Sequence, residues 1–559
     1  MIHRVVCARR GRPCPRARRL EKTESGRRDC FVVVAPSRPP AGGWPGEADP
    51  GKLLGVVLVI SWLILMALLH PATTLGAVSR DTDPFRLVDS CLASRVREQR
   101  IPGLAVGIVR GDHVVHVAGF GVADPSGRPV TPDTPFILGS ISKSFTALAV
   151  MQLVEQGRID LDAEVRRYIH WFTLADDASR KITVRQLLNQ TSGISVRTSE
   201  KYAASTDVTD DALTRRVRDL SAEHLDRPVG TDFEYSGTNY AVLGLLVQMV
   251  SGESYESYVR GHIFAPMGMR HSFTSEPEAR EHGLASGYLY WFFHPRATQL
   301  PFNRGSLPQG YLISSAEDMS RYLVAQLNRG RIDDIQLVSP TSVDAMHRAS
   351  VPTARPGTSY GMGWEIGPVA GIPAIWHEGS IFNYHANVVL LPSERLGFVL
   401  LENIYSGPDE RRLNQIAEDV GRLLTGKSPQ MPASIWGLKL AYGILALILI
   451  GQCWGMWSEM RRFRTRLAGS RTRGTRWGMV GRTLAIVLNA SCCLLIVLWI
   501  PAAFGMSLMA TVIRIPDFGF ALLACALLAF ATSALEVVVL VARLSAPGDA
   551  QVAVGEVHH

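Results

Sequence analysis

Four apolar stretches constrain this 559-residue chain most: Leu53–Leu69, Trp436–Trp457, Leu484–Phe504 and Phe518–Val541. A run of about 20 apolar residues satisfies its backbone in a bilayer only as a helix. These runs therefore predict a soluble body held between membrane anchors. The first is longer than a signal-peptide core, slightly short for a crossing, and ends at His70-Pro71. Cleavage after Ala77 would put Leu75 where a small residue is wanted, so the run reads as an uncleaved signal-anchor rather than a signal peptide.

Charge agrees with that layout. The formal net charge is +8, but residues 1–52 carry twelve Lys/Arg against five Asp/Glu, and residues 458–482 carry eight Arg against Glu459. The rest of the chain is mildly acidic, so the basic charge flanks apolar runs instead of forming a nucleic-acid-binding face. Under the positive-inside rule the 458–482 loop is cytoplasmic, the leader lies inside, and the central region lies outside. The expected division is a basic disordered leader at 1–52, an anchor at 53–69 and a linker at 70–84. A soluble domain follows at 85–425, with a second linker at 426–435. Spans at 436–457, 484–504 and 518–541 and a cytoplasmic tail at 543–559 complete it. The leader reads either as a cytoplasmic tail or as sequence ahead of the true start codon. The expected location is a multi-pass cell-membrane protein with an extracytoplasmic (periplasmic or extracellular) central domain. Glu536, within the last span, is either a functional intramembrane carboxylate or a partner for Arg543.

Cysteines exclude two classes of small scaffold. Of the eight, only Cys91 lies in the central region, and one thiol builds neither a disulfide framework nor a zinc site. Cys91 reads as a small buried residue. No HExxH helix or nucleotide-binding loop is visible, and neither metal nor cofactor is expected.

The central region reads as α/β. Leu104–Val109 and Val114–Val117 predict strands around the turn Arg110-Gly111-Asp112. Ser144–Gly157 predicts a helix with one apolar face that stops at Gly157, Phe398–Leu401 a late strand, and Asn414–Leu424 a last helix. At the start of the first helix, Phe136-Ile137-Leu138-Gly139-Ser140-Ile141-Ser142-Lys143 places Ser140 and Lys143 on one face, three residues apart. A serine hydroxyl becomes a useful nucleophile only when a neighbour takes its proton, and a desolvated lysine can do so. Two common residues at this spacing also occur by chance, so the pair alone decides nothing.

Its surroundings decide. Pro102-Gly103-Leu104-Ala105-Val106, Gly119-Phe120-Gly121, Thr134-Pro135-Phe136 and Gln152-Leu153-Val154-Glu155-Gln156-Gly157 are followed by Ile182-Thr183-Val184-Arg185-Gln186-Leu187-Leu188 with Thr191-Ser192-Gly193. Pro266-Met267-Gly268-Met269, Ser314-Ser315-Ala316-Glu317-Asp318-Met319 and Tyr360-Gly361-Met362-Gly363-Trp364 come after, in order. Across residues 85–425 this resembles the β-lactamase-related serine hydrolases: class C β-lactamases, penicillin-binding carboxypeptidases, D-aminopeptidases and related bacterial esterases. The resemblance implies an antiparallel sheet flanked by helices with an inserted all-helical lobe, and a site between the two.

It also implies the catalytic set Ser140, Lys143, Tyr235 and His377. Tyr235-Ser236-Gly237 stands at the family's Tyr-x-Asn, and a tyrosine near a lysine ammonium ionises more easily. Either Lys143 or Tyr235 takes the serine proton. Gly237 departs from the family's asparagine, which weakens any assignment to β-lactam hydrolysis, and Asn239 is not assumed to replace it. His377-Glu378-Gly379-Ser380 stands at the family's Lys-Thr-Gly. There Gly379 admits substrate backbone, and the amides of Ser140 and Ser380 form the oxyanion hole. His377 is expected to donate to Tyr235 or to a substrate carboxylate, charged part of the time near neutral pH. The expected activity is hydrolysis through a Ser140 acyl-enzyme, on peptide or amide bonds near D-amino acids. An esterase, a β-lactamase and an inactive membrane sensor are the alternatives. Expected partners are a small peptide, amide or ester substrate and the lipid bilayer, without nucleic acid or metal.

Overall fold

Alternation along Gly103–Arg110 (β1) builds the centre of the fold. Leu104, Val106 and Ile108 join one apolar core, while Ala105 and Val109 join another on the opposite face. The computed structural model describes residues 83–202, 205–299, 302–467, 476–499, 508, 511–512 and 515–544. The leader and the expected Leu53–Leu69 anchor lie outside the described residues. All described residues belong to one unit spanning Arg80–His559.

β1 pairs with His113–Gly121 (β2) on one side and with Leu396–Glu402 on the other. The other strands are Val351–Pro352 (β3), Ser359–Tyr360 (β4), Glu365–Val369 (β5), Ile372–Ile381 (β6), Tyr384–Leu391 (β7) and Leu396–Glu402 (β8). They form an eight-stranded sheet in the order β2-β1-β8-β7-β6-β5-β4-β3, every pairing antiparallel.

Pro84–Gln99 (α1) and Glu410–Leu424 (α5) cover one face. α5 buries Leu413, Ile416, Ala417, Val420, Leu423 and Leu424, a helical-period stripe, against Leu104, Ile108, Phe398 and Leu400. Each such aliphatic side chain gains about 1.5–3 kcal/mol on burial. Within this layer Arg95 Nη2 lies 2.7 Å from Asp419 Oδ2, both side chains almost fully buried.

Ser142–Glu155 (α2) and Ala316–Leu327 (α4) lie on the other face. The one-sided helix expected here is instead buried all round, from Ser142 to Leu153. It packs against Gly237–Ser251 (α3) and the short helices Leu307–Gly310 and Tyr255–Val259, which leave it no face to water. Gly157, at φ +69, follows its C-terminus as expected.

The insert between β2 and β3 contains a stretch, 142–281, whose named elements are all helices, but the insert as a whole also holds short strands. Three short pairings interrupt it: Phe136–Ile137 with Ile313–Ser314, Gly287–Trp291 with His294–Thr298, and Arg331–Ile332 with Ile335–Gln336. The first ties the lead-in to Ser140 to the segment ahead of α4, which sequence-local periodicity does not report.

Two described helices are long and apolar enough to cross a membrane: Trp436–Arg461 within α6 (Trp436–Leu467), and Pro516–Val539 within α8 (Pro516–Leu544). Of the expected span at 484–504, residues 500–504 lie outside the described residues. Arg476–Leu494 (α7) continues as a π-helical turn, Leu495–Trp499, and the apolar part described, Ile486–Trp499, is shorter than a crossing. α8 packs against both α6 and α7.

Candidate active site

Ser140 sits in the single 3-10 turn Gly139–Ile141, which runs directly into α2. Gly139 holds φ +56, and a Cβ there would lie 2.7 Å from the Ser380 amide nitrogen. A Cβ on Gly379 would lie 2.0 Å from the Leu138 carbonyl oxygen. Only glycine at both positions lets the Ser140 turn press onto β6.

β5 pairs with β6 only from Ile372 to Trp376. Beyond Trp376, His377–Ile381 keep β7 along one edge and no strand along the other, among the described residues. That edge lines the cleft through His377, Glu378 and Ser380.

Lys143 Nζ donates to Ser140 Oγ at 2.8 Å and to the Gln309 carbonyl at 2.8 Å. The lysine is 2% exposed. Burial, reinforced by the charge of Arg216, pushes its ammonium down to about 7. Tyr235 closes over it, with Nζ 5.0 Å from the ring centroid. Burial pushes the Tyr235 phenol well above its ordinary value; Tyr360 adds to this and a hydrogen bond with Ser140 opposes it. The expected easing of Tyr235 ionisation by Lys143 is therefore overturned, because desolvation dominates.

His377 departs further from expectation. It is 1% exposed, and burial together with Lys143 pushes it down to about 3, so it is neutral at physiological pH. Nδ1 lies 2.6 Å from the Glu378 carbonyl, which only accepts, so the proton sits on Nδ1. Nε2 then accepts from the Tyr360 hydroxyl at 3.3 Å. The ring lies beside Tyr235, centroids 6.3 Å apart, with the Tyr360 hydroxyl on its Nε2.

Gly237 opens α3 and lines the cleft. A Cβ there would meet Gln309 Oε1 at 2.4 Å, so the Gln309 side chain fills the space an asparagine would need. Gln309 Oε1 accepts from Arg216 Nη2 at 3.2 Å. Asn239 turns elsewhere: its Nδ2 donates to Gln190 at 2.5 Å, and its Oδ1 accepts from Ser192 at 2.6 Å.

Ser140, Lys143, Tyr235, Gly237 and Ser380 thus line one cleft of about 660 Å³, and His377 lines its continuation of about 400 Å³. Sequence reasoning missed Gln309, Arg216 and the polar end of this cleft. Arg216 had a signal, since it falls on the apolar face formed by Leu213, Val217 and Leu220. At the polar end Arg355 faces Glu365 at 3.7 Å and Glu378 at 3.4 Å. Burial pushes Glu365 up to about 7, with Arg355 opposing and Glu378 adding.

A serine held by a buried, readily neutralised lysine at a sheet edge defines a serine hydrolase of the penicillin-recognising type. The beta-lactamase family model matches residues 88–422, and the chain belongs to that family of serine hydrolases. It is 29% identical over 328 residues to Protein flp of Staphylococcus aureus (strain MW2), a match covering 58% of this chain and 64% of that protein. The chain thus spans under two thirds of that relative's length. Penicillin-binding protein 4 of Amycolatopsis lactamdurans is 30% identical over 319 residues, covering 55% of this chain and 82% of that one. The structure of the octameric penicillin-binding protein homologue from Pyrococcus abyssi superposes with a TM-score of 0.54 at 29% identity, covering 62% of this chain and 79% of that one.

Proposed function

We propose that this chain is a membrane-bound hydrolase that cleaves peptide or amide bonds next to D-amino acids through a Ser140 acyl-enzyme. The 2.8 Å contact between Lys143 Nζ and Ser140 Oγ, in surroundings that hold the lysine near 7, carries the reading. Neutral Lys143 takes the serine proton as Oγ attacks the carbonyl. The amides of Ser140 and Ser380 donate to the developing oxyanion. Tyr235, kept protonated by burial, relays a proton to the leaving nitrogen and is recharged from Lys143. Water then attacks the acyl-enzyme, and Ser140 is released with a free acid.

The polar end of the cleft supports an amine-bearing substrate over one ending in a carboxylate. Glu365, Glu378 and Glu410 line it against one cation among the described residues, Arg355, which two of them already face. The neutral His377 adds no charge. An N-terminal D-aminoacyl amide suits that balance. The relatives named as penicillin-binding proteins support a cell-wall-like peptide.

Esterase activity is the second reading, favoured by the apolar wall of the main cleft, where Ile381 and Phe382 stand. β-lactamase activity ranks lower, because Gln309 fills the space beside Gly237. The multi-pass arrangement belongs to the same proposal. The basic 458–482 loop lies inside, and the cleft faces the extracytoplasmic side. Activity of the full-length protein on D-alanyl-p-nitroanilide, p-nitrophenyl acetate and a chromogenic cephalosporin orders the readings. Cleavage of the anilide, abolished in Ser140→Ala, is expected; turnover of the cephalosporin alone would contradict the proposal.

A further inference from the structure

The cleft that holds Ser140 is not walled by the hydrolase domain alone. Leu438 and Ala441, on the first turns of α6, and Ile515 and Phe518, at the start of α8, form one side of it. Ile381 and Phe382, just past the catalytic stretch of β6, face them. A site for a wholly water-soluble peptide has no use for a wall built from the ends of two membrane-length helices.

The seam between domain and helices is built. Asp517 is buried and accepts from the Phe292 amide at 2.7 Å and from the Tyr442 hydroxyl at 2.9 Å. Phe292 and Phe293 form the tip of the Gly287–Trp291/His294–Thr298 hairpin and hold φ +46 and +66, a turn that ordinarily takes Asn-Gly. Two bulky residues in left-handed backbone are a strained choice. Here they pack edge-on and tilted against Tyr442, with ring centroids 5.8 and 5.1 Å away, and Tyr442 in turn meets Phe518 at 5.5 Å. That aromatic cluster holds the α6 and α8 ends against the Ser140 cleft, while Leu440, Ile444 and Leu447 on α6 remain exposed, as a lipid-facing stripe would.

Resting on the reading of Ser140 as nucleophile, we infer that the substrate is an amphiphile with a long apolar chain within a few bonds of its scissile carbonyl. The groove between Leu438, Ala441, Ile515 and Phe518 takes that chain as it rises from the bilayer surface. No new bond chemistry is required. The groove supplies binding energy, while the acyl transfer is the one already described.

Full-length protein in phospholipid nanodiscs, given p-nitrophenyl acetate, butyrate and octanoate, tests the inference. Each methylene buried in the groove raises kcat/KM about fourfold. Partition of the ester into the lipid would mimic this, so the decisive quantity is the octanoate-to-acetate ratio in Ala441→Trp, whose indole fills the groove. The ratio is expected to fall about tenfold or more relative to wild type, equivalent to losing about two buried methylenes. An unchanged ratio overturns the inference. Phe518→Ser is measured alongside and is expected to lower the ratio too, so that misfolding of one variant leaves the other decisive. A second arm needs no turnover: dansyl-aminoundecanoate binding to Ser140→Ala protein, followed by dansyl emission. Saturable binding lost in Ser140→Ala/Ala441→Trp supports the groove even if hydrolysis is never seen. Emission equal to that of empty nanodiscs contradicts the groove while leaving the hydrolase reading standing.

Discussion

At Lys143 the chemistry turns on one proton. Burial favours the neutral amine, so below pH 7 the lysine is increasingly protonated and unable to accept from Ser140. For a neutral ester, log kcat/KM is expected to rise with pH with a slope near one below pH 7 and to level above it. For an amine-bearing substrate Glu365, also near 7, must be ionised as well, so the slope approaches two. Glu365→Gln is expected to return the amine profile to a slope near one. A slope of one for both substrates in the wild type would remove Glu365 from amine recognition. Gly237 permits a second test. Gly237→Asn collides with Gln309 and should lower Tm, and Gly237→Asn/Gln309→Ala should recover part of the loss. A melt of Gly237→Asn at the wild-type temperature would show that Gln309 yields without cost.

Among the elements, α1 and α5 depend on one buried ion pair. Asp419→Ala leaves the Arg95 guanidinium without its carboxylate, and chemical unfolding should show a loss of about 3–5 kcal/mol. Arg95→Met/Asp419→Leu should restore most of it, whereas a neutral single variant would show that Glu98, also beside Arg95, suffices. The elements also show what local pattern reports and what it does not. β1 and the late strand within β8, packed on a core at each face, were legible as short apolar runs beside turn residues, and the last helix because one face meets a single core, which stamps helical spacing on the sequence. α2 was misread because a helix buried on every side carries no stripe. His377 and Tyr235 were legible as positions, from the order of motifs along the chain. Their protonation states were not, since burial is decided by Tyr360, Lys143 and α3, brought together from distant segments. Gln309 left no trace at all, because its role is to occupy space vacated by Gly237 some seventy residues earlier.

For the molecule as a whole, the two apolar helices do more than follow the catalytic body in sequence. Their first turns stand in the wall of the Ser140 cleft, and the hairpin tip at Phe292 and Phe293 holds them there. Sequence hydropathy flagged the helices but carried no information on where their ends meet the hydrolase. Activity and membrane attachment are therefore expected to be coupled through Asp517. The proposed reaction depends on Ser140 being an activated nucleophile. Labelling of the full-length protein by a fluorescent fluorophosphonate, read by in-gel fluorescence, tests this most directly. Wild type should label, Lys143→Met should label about 10²–10⁴-fold more slowly, and Ser140→Ala not at all. Folded wild-type protein that resists the probe, or Ser140→Ala that labels as fast, would contradict it.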